Sequence, residues 1–193
     1  DVRGQAATGS GKTGAFALPI LERILALPES WPHALILCPT RELASQVARE
    51  IRKFGRRIAG LHVLELVGGA PAGPQKRALE RKFHVIVGTP GRVLDHVGKG
   101  ALRLNGIQMV VLDEADRMLD MGFSEDMEEI LHQCPEERQT VLFSATFPEE
   151  IAAFSEGFQN DPVAVKIEGK ETQPDIDALK LVVEEEEKAN ALE

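Results

Sequence analysis

At 193 residues and 43% hydrophobic content, the chain is one large domain, or one domain plus a fragment, with enough apolar side chains for a proper core. No apolar run approaches bilayer length, no charged-then-apolar leader opens the sequence, and the two cysteines, Cys38 and Cys134, lack partner spacing; a membrane span, a disulfide framework and a metal site are not expected, and a reducing cytoplasm fits best. The net charge of −9 argues against nucleic acid, but nine acidic and three basic residues put −6 of it into 168–193, and phosphate binding needs only a local basic patch.

Asp1 to Ala6 reads as a short strand, followed by Ala6-Ala7-Thr8-Gly9-Ser10-Gly11-Lys12-Thr13 and then by helical spacing of apolar residues from Ala15 to Leu27. A loop of small residues lets several N–H groups turn inward, and the helix N-terminus behind it adds partial positive charge, which together make a phosphate cradle. Lys12 can then reach the β- and γ-phosphates, and Thr13 offers its hydroxyl to Mg²⁺. The usual pattern asks for glycine at position 6, but Gly9 and Gly11 still supply flexible positions. The plainer reading is an ordinary glycine-rich turn before a helix.

Further on, strand-type runs fall at Ala34–Cys38, His62–Leu66, Val85–Val87, Met109–Leu112, Thr140–Phe143 and Val163–Ile167. Helical patterns lie between them at Leu43–Ile58, Pro74–Lys82, Arg92–Gly98, Glu125–Gln133 and Glu149–Phe158. Short, nearly continuous apolar strands alternating with helices predict an α/β fold, a parallel sheet with helices on both faces. Ligands in such sheets collect at the carboxyl ends of strands, and every polar signal in the chain starts where a strand stops.

Pro39-Thr40-Arg41-Glu42 opens one helix, with Thr40 as its natural N-cap, and Thr89-Pro90-Gly91-Arg92 repeats the arrangement. Each offers a hydroxyl, free backbone N–H groups and an arginine at a helix start. That set suits a phosphodiester backbone, although capping with an exposed arginine explains each one singly. With no tyrosine and a lone Trp31, a base-stacking platform is not expected. Met109-Val110-Val111-Leu112-Asp113-Glu114-Ala115-Asp116 is a buried-type strand delivering carboxylates to the sheet's end, a costly arrangement unless they meet water, metal or donors. Asp113 can hold Mg²⁺ through its water shell, and Glu114 can polarise an attacking water; the competing reading makes Asp113 a helix cap. Ser144-Ala145-Thr146 follows the strand at Thr140–Phe143, and its hydroxyls can cap a helix beginning near Pro148. The histidines at 33, 62, 84, 96 and 132 are scattered and read as surface or strand-end residues.

In these motifs the chain resembles the DEAD-box ATP-dependent RNA helicases. Asp113-Glu114-Ala115-Asp116 spells the family name, and Ala6–Thr13 is similar to the family's own phosphate loop. Pro39-Thr40-Arg41-Glu42-Leu43-Ala44, Gly68-Gly69, Thr89-Pro90-Gly91-Arg92 and Ser144-Ala145-Thr146 follow in the family's order, and the resemblance covers roughly Asp1 to Ile167. It implies a RecA-like P-loop domain, the first of two in a helicase core. It further implies that Thr8, Gly9, Ser10, Gly11, Lys12 and Thr13 bind ATP, and that Thr13 and Asp113 serve Mg²⁺. Lys12, Asp113, Glu114, Ser144 and Thr146 form the catalytic set, with coupling through Asp116. Pro39, Thr40, Arg41, Gly69, Thr89, Gly91 and Arg92 hold the RNA sugar-phosphate backbone without regard to sequence.

In the family the adenine-reading segment lies upstream of the phosphate loop, and a second RecA-like domain supplies arginine fingers. The resemblance thus implies that 1–167 is the first RecA-like domain without its adenine-reading segment and that 168–177 is a linker. Residues 178–193 are then the opening of the second domain or a disordered tail. Such a fragment is expected to hydrolyse ATP weakly by itself. Two other readings stay open: a nucleotide-dependent RNA clamp or scaffold with little unwinding, and a DNA-directed P-loop helicase.

Overall fold

Strand and helix alternate except where two helices, α5 and α6, follow β5: β1 (Val2–Gln5), α1 (Lys12–Ala26), β2 (Ala34–Leu37), α2 (Arg41–Phe54), β3 (Val63–Leu66), α3 (Ala72–Leu79), β4 (Val85–Gly88), α4 (Pro90–Gly98), β5 (Met109–Leu112), α5 (Ala115–Asp120), α6 (Ser124–His132), β6 (Gln139–Ser144), α7 (Glu149–Phe158) and β7 (Val163–Lys166). The computed structural model describes residues 1–6, 9–26, 32–69 and 72–167; Thr8, the linker 168–177 and the segment 178–193 lie outside the described residues. All strand pairs are parallel, in the order β3-β4-β2-β5-β6-β1-β7.

Strand β2 is buried at all four positions, as are β4 and β5, because helices cover both faces of the sheet. Leu35, Leu37, Ile86, Val110 and Leu112 pack on one face with residues of α4, α5, α6 and α7. Ala34, Ile36, Val85, Val87, Met109 and Val111 pack on the other with residues of α1 and α2. The period-2 alternation of a strand sorts the two sets. Truncating a fully buried leucine such as Leu37 or Leu112 costs about 2–5 kcal/mol.

The differences from expectation have local causes. Helix α2 ends at Phe54 rather than Ile58, since Gly55 sits at its C-cap with its N–H on the Ile51 carbonyl. Ile58 still packs against the α1–α2 core from the following turn, which explains why the apolar spacing ran on. Helix α5, absent from the expected elements, is only six residues long, too short for a periodic signal. Strand β7 forms the sheet edge, so Val163, Val165 and Ile167 near it stay exposed. Cys38 and Cys134 are buried and free. His33 and His84 are strand-end residues, as expected, but buried rather than at the surface. Burial and then the neighbouring His33 and His62 push His84 down to about 4. Among the described residues, no helix is long and apolar enough to cross a membrane.

Candidate functional site

The carboxyl end of the sheet divides into two contiguous halves. Strands β5, β6 and β1 stand side by side, and so do β3, β4 and β2, with β2 and β5 meeting at the centre. Pairing of Leu37 with Leu112 and with Gly88 sets the strand ends level across that junction.

On the first half, Gly9 and Gly11 adopt φ values of 80° and 88°, the left-handed region that glycine enters without steric cost. Gly9, Ser10 and Gly11 are exposed. Lys12 begins α1, and its Nζ donates to the Ala6 carbonyl at 3.1 Å, so the ammonium reaches back across the loop. The first-turn N–H groups of a helix have no intrahelical acceptor, which leaves those of Lys12 and Thr13 available to an anion.

Asp113 leaves β5 with its N–H on the Leu37 carbonyl at 3.0 Å and is only 3% exposed. Its Oδ1 is buried without a hydrogen-bond partner. Burial pushes the carboxyl up to about 6, with Lys12 opposing and Glu114 adding to the rise. Glu114 occupies the N-cap position of α5 at φ 55°, and its carboxylate lies 3.6 Å from Arg117. Asp113 is therefore not the cap, and Glu114 makes no side-chain cap bond either.

Asp116 ties this half together. Its Oδ2 accepts the Ala145 N–H at 3.2 Å, the Thr146 N–H at 3.1 Å and the Thr146 hydroxyl at 3.1 Å. Burial works to raise this carboxyl, yet the hydrogen bonds it accepts from Thr146 and the Arg117 N–H outweigh it and hold the group below its ordinary value. The buried Ser144 hydroxyl donates to the Thr146 carbonyl at 2.5 Å. Neither hydroxyl caps α7, whose N-cap is Pro148 without a side-chain bond.

On the second half, the Thr40 hydroxyl accepts the Leu43 N–H at 3.2 Å, the expected cap of α2. Pro39 beside it is buried. Arg41 donates to the Gly68 carbonyl at 3.4 Å. Gly69 suits this position because its φ is 73°, a conformation strained for a residue with a side chain, and a Cβ there would also displace the Arg41 guanidinium. Thr89 departs from expectation. It takes the N-cap position of α4, but its side chain makes no cap bond. Pro90 at the helix start lacks an N–H, and the Thr89 carbonyl instead receives Arg92 and Val93 N–H groups at 3.1 Å. Gly91 is exposed, and Arg92 donates to Gln75 Oε1 at 3.5 Å.

Comparison with known proteins bears directly on this arrangement. The model of the family described as DEAD/DEAH box helicase matches residues 1–154. The chain belongs to the DEAD/DEAH box helicase family.

Among DEAD-box relatives, the chain is 50% identical over 193 residues to the DEAD-box ATP-dependent RNA helicase CshA of Geobacillus kaustophilus, covering 100% of this chain and 41% of that protein. It is 50% identical over 177 residues to the ATP-dependent RNA helicase DbpA of Escherichia coli, covering 92% and 38%. A crystal structure of a DEAD box protein from Methanococcus jannaschii superposes with a TM-score of 0.80 at 42% identity, over 86% of this chain and 45% of that one. The expected RecA-like fold class is the one observed. The chain spans less than half the length of these relatives.

Whether DEAD-box residues present here suit Mg²⁺ is answered by the buried, partnerless Asp113 Oδ1, a carboxylate oxygen with lone pairs left for an ion or its water. Among the described residues no three histidine, cysteine or acidic groups cluster for a metal. Asp113 Oδ1 thus fits an ion carried largely by phosphates and water rather than an all-protein cage.

The same carboxyl makes a stability prediction. An unfolded aspartate releases its proton near 3.8, whereas folded Asp113 holds on to about 6, so stability falls as pH rises between those values and stays low above them. Asp113→Asn should stabilise the nucleotide-free protein at pH 7.5 by on the order of 1–3 kcal/mol. Melting in chelator checks this, with the two proteins converging near pH 4; equal melting temperatures at pH 7.5 would show that Asp113 is not strained by burial.

Sequence reasoning passed over three residues at the site. Gln5 donates to the Ala145 carbonyl at 3.2 Å, joining β1 to the Ser144–Thr146 segment. Arg49 shares with Arg41, Gly68 and Gly69 a shallow depression of about 540 Å³; its spacing of two four-residue steps from Arg41 was the available signal. Gln75, the third, contacts residues distant in the chain, so no local pattern marks it. A largely apolar cavity of about 300 Å³ lies under α1, bounded by Phe16, Ile20, Phe143 and Val165, and Gln5, Ser10, Gly11 and Lys12 also line it.

Proposed function

We propose that the protein carrying this chain is an ATP-dependent RNA helicase that opens short duplexes locally, with 1–167 as its first RecA-like domain, 168–177 as linker and 178–193 as the opening of the second. The single observation that best supports this reading is the division of one sheet edge: Lys12, Asp113 and Glu114 in the segments that follow β1 and β5, and Arg41, Gly69 and Arg92 in those that follow β2, β3 and β4. The relatives named as ATP-dependent RNA helicases support the same reading. Its free, buried cysteines accord with a cytoplasmic setting.

The Gly9–Thr13 backbone receives the ATP phosphates, and Lys12 swings from the Ala6 carbonyl to neutralise their charge. Thr13 and Asp113 would hold Mg²⁺, which would shield charge developing on the phosphates. Glu114 orients a water at the γ-phosphorus and takes its proton; the bond from phosphorus to the bridging oxygen breaks, and ADP leaves with the electron pair. Thr40, Arg41, Gly69, Thr89, Gly91 and Arg92, seated by Pro39, grip one RNA strand through its backbone. Asp116 carries the nucleotide state from the Asp113–Glu114 segment to Ser144 and Thr146. ATP and RNA favour a closed pair of domains, in which the strand is bent too far to remain in a duplex, and hydrolysis reopens it.

Strand displacement on RNA and DNA duplexes of increasing length, with phosphate release followed in parallel, tests the proposal in the full-length protein. Short RNA duplexes should open and long ones should not; length-independent opening of DNA would defeat the reading. In the same assay Asp116→Asn replaces an acceptor of three bonds with an amide and should cut unwinding roughly tenfold more than hydrolysis. Equal loss of both would deny Asp116 a coupling role.

A further inference from the structure

Gln75 is the one carboxamide that touches both parts of the second half of the site among the described contacts. It lies in α3 at 8% exposure, and its Nε2 donates to the Val67 carbonyl at 3.0 Å. Its Oε1 faces Arg92 NH1 at 3.5 Å and His96 Nε2 at 3.2 Å. The orientation of the amide follows from chemistry: a guanidinium only donates and a backbone carbonyl only accepts, so oxygen faces Arg92 and nitrogen faces Val67. His96 is 3% exposed, and burial holds its ring below the ordinary value, so the ring is neutral at neutral pH and its single N–H sits on Nε2. Gln75 Oε1 is thereby an acceptor from both Arg92 and His96, and its Nε2 a donor to Val67.

The consequence is geometric. Val67 directly precedes Gly68, whose carbonyl takes Arg41. Arg41 and Arg92 come from different helices, yet both end on the Val67–Gly68 stretch, one directly and one through Gln75. Leu66 adds a backbone tie by accepting the Thr89 N–H at 3.1 Å. An arginine left to itself loses considerable rotamer freedom when it meets a phosphate; one already held in place loses less. We propose that Gln75 is a positioning residue for RNA binding, a buried strut that holds Arg92 in a fixed relation to the Gly68–Gly69 loop and Arg41. Its action is through Arg92, and Gln75 itself need not touch RNA. The inference rests on the reading of Arg92 as a contact to the RNA backbone.

The chemistry of the three partners makes glutamine hard to replace. Alanine releases both Val67 and Arg92. Methionine keeps the length and much of the volume but offers neither donor nor acceptor.

The test is binding of a single-stranded RNA oligonucleotide, in the presence of a non-hydrolysable ATP analogue, to the full-length protein and to Gln75→Ala, Arg92→Ala and the double variant. Gln75→Ala should raise the RNA Kd roughly three- to tenfold and the KM for RNA alike, with the KM for ATP within about twofold. The double variant should match Arg92→Ala, because a strut has nothing left to hold once the arginine is gone. Multiplying effects would mean that Gln75 acts independently of Arg92, and the proposal falls. A lowered melting temperature with unchanged Kd for Gln75→Ala overturns it too, leaving Gln75 a packing residue while the RNA contact of Arg92 stands. If Arg92→Ala binds RNA as tightly as the parent, the underlying reading fails and the inference fails with it. Gln75→Met takes the place of Gln75→Ala should the latter not fold, with the same outcomes read the same way.

Discussion

Lys12→Ala is expected to lower kcat/KM for ATP by about a hundred- to a thousandfold, the loss seen when a preorganised donor to developing charge is removed. Lys12 begins α1 behind a loop in which Gly9 and Gly11 have left-handed φ, and its ammonium reaches back to the Ala6 carbonyl across that loop. Alanine keeps the helix and even favours it, so the fold should survive. A second readout follows from the electrostatics: Lys12 opposes the upward push of burial on Asp113, and its removal should move that carboxyl further up. Direct nucleotide titration separates binding from turnover. A variant that binds and hydrolyses ATP within threefold of the parent would remove the phosphate-loop reading altogether.

The second large effect is expected at Glu114. Glu114→Gln should leave nucleotide affinity within a few-fold and reduce kcat by roughly 10²–10⁴, the range for loss of a positioned general base. The substitution is nearly isosteric, and the left-handed φ of 55° is tolerated about equally by glutamate and glutamine. It also breaks the ion pair with Arg117, but that arginine side chain is 61% exposed and the pair is worth about 0–1 kcal/mol at most. A fall in kcat therefore cannot be blamed on lost stability. Single-turnover phosphate release is the measurement, and an undiminished rate would assign the base elsewhere.

Such a placement of Glu114 is uncommon for a residue with a side chain. A non-glycine residue in the left-handed region costs on the order of 1–3 kcal/mol. Asp113 beside it adds a buried carboxyl without a partner on Oδ1. Two adjacent unfavourable features at the top of a fully buried strand point to a site shaped for a ligand rather than for stability. The expected gain from Asp113→Asn is the same conclusion seen from the other side.

Much of this was legible from the residues in order. Phosphate binding at a loop needs small residues and a lysine close together in the chain, so Ala6 to Thr13 announces itself. Buried parallel strands need apolar side chains on both faces, so Ala34–Leu37 and Met109–Leu112 were placed nearly to the residue. Thr40 was identifiable as a cap because capping is a bond across three residues. The role of Thr89 was misjudged on that same local logic, since a buried hydroxyl and a following proline change which atoms are available.

Which strand lies beside which was not legible, because periodicity reports the face a residue buries and is silent about its neighbour across the ladder. The order β3-β4-β2-β5-β6-β1-β7 takes motifs that alternate along the chain and sorts them into two adjoining groups. Asp116 meets Thr146 across 30 positions, and Gln75 meets Val67, Arg92 and His96 across 8, 17 and 21. Hydrogen bonds of that reach exist only after the backbone has closed the intervening loops. A chain can therefore spell out which chemistry it carries while leaving its connections to be settled by packing.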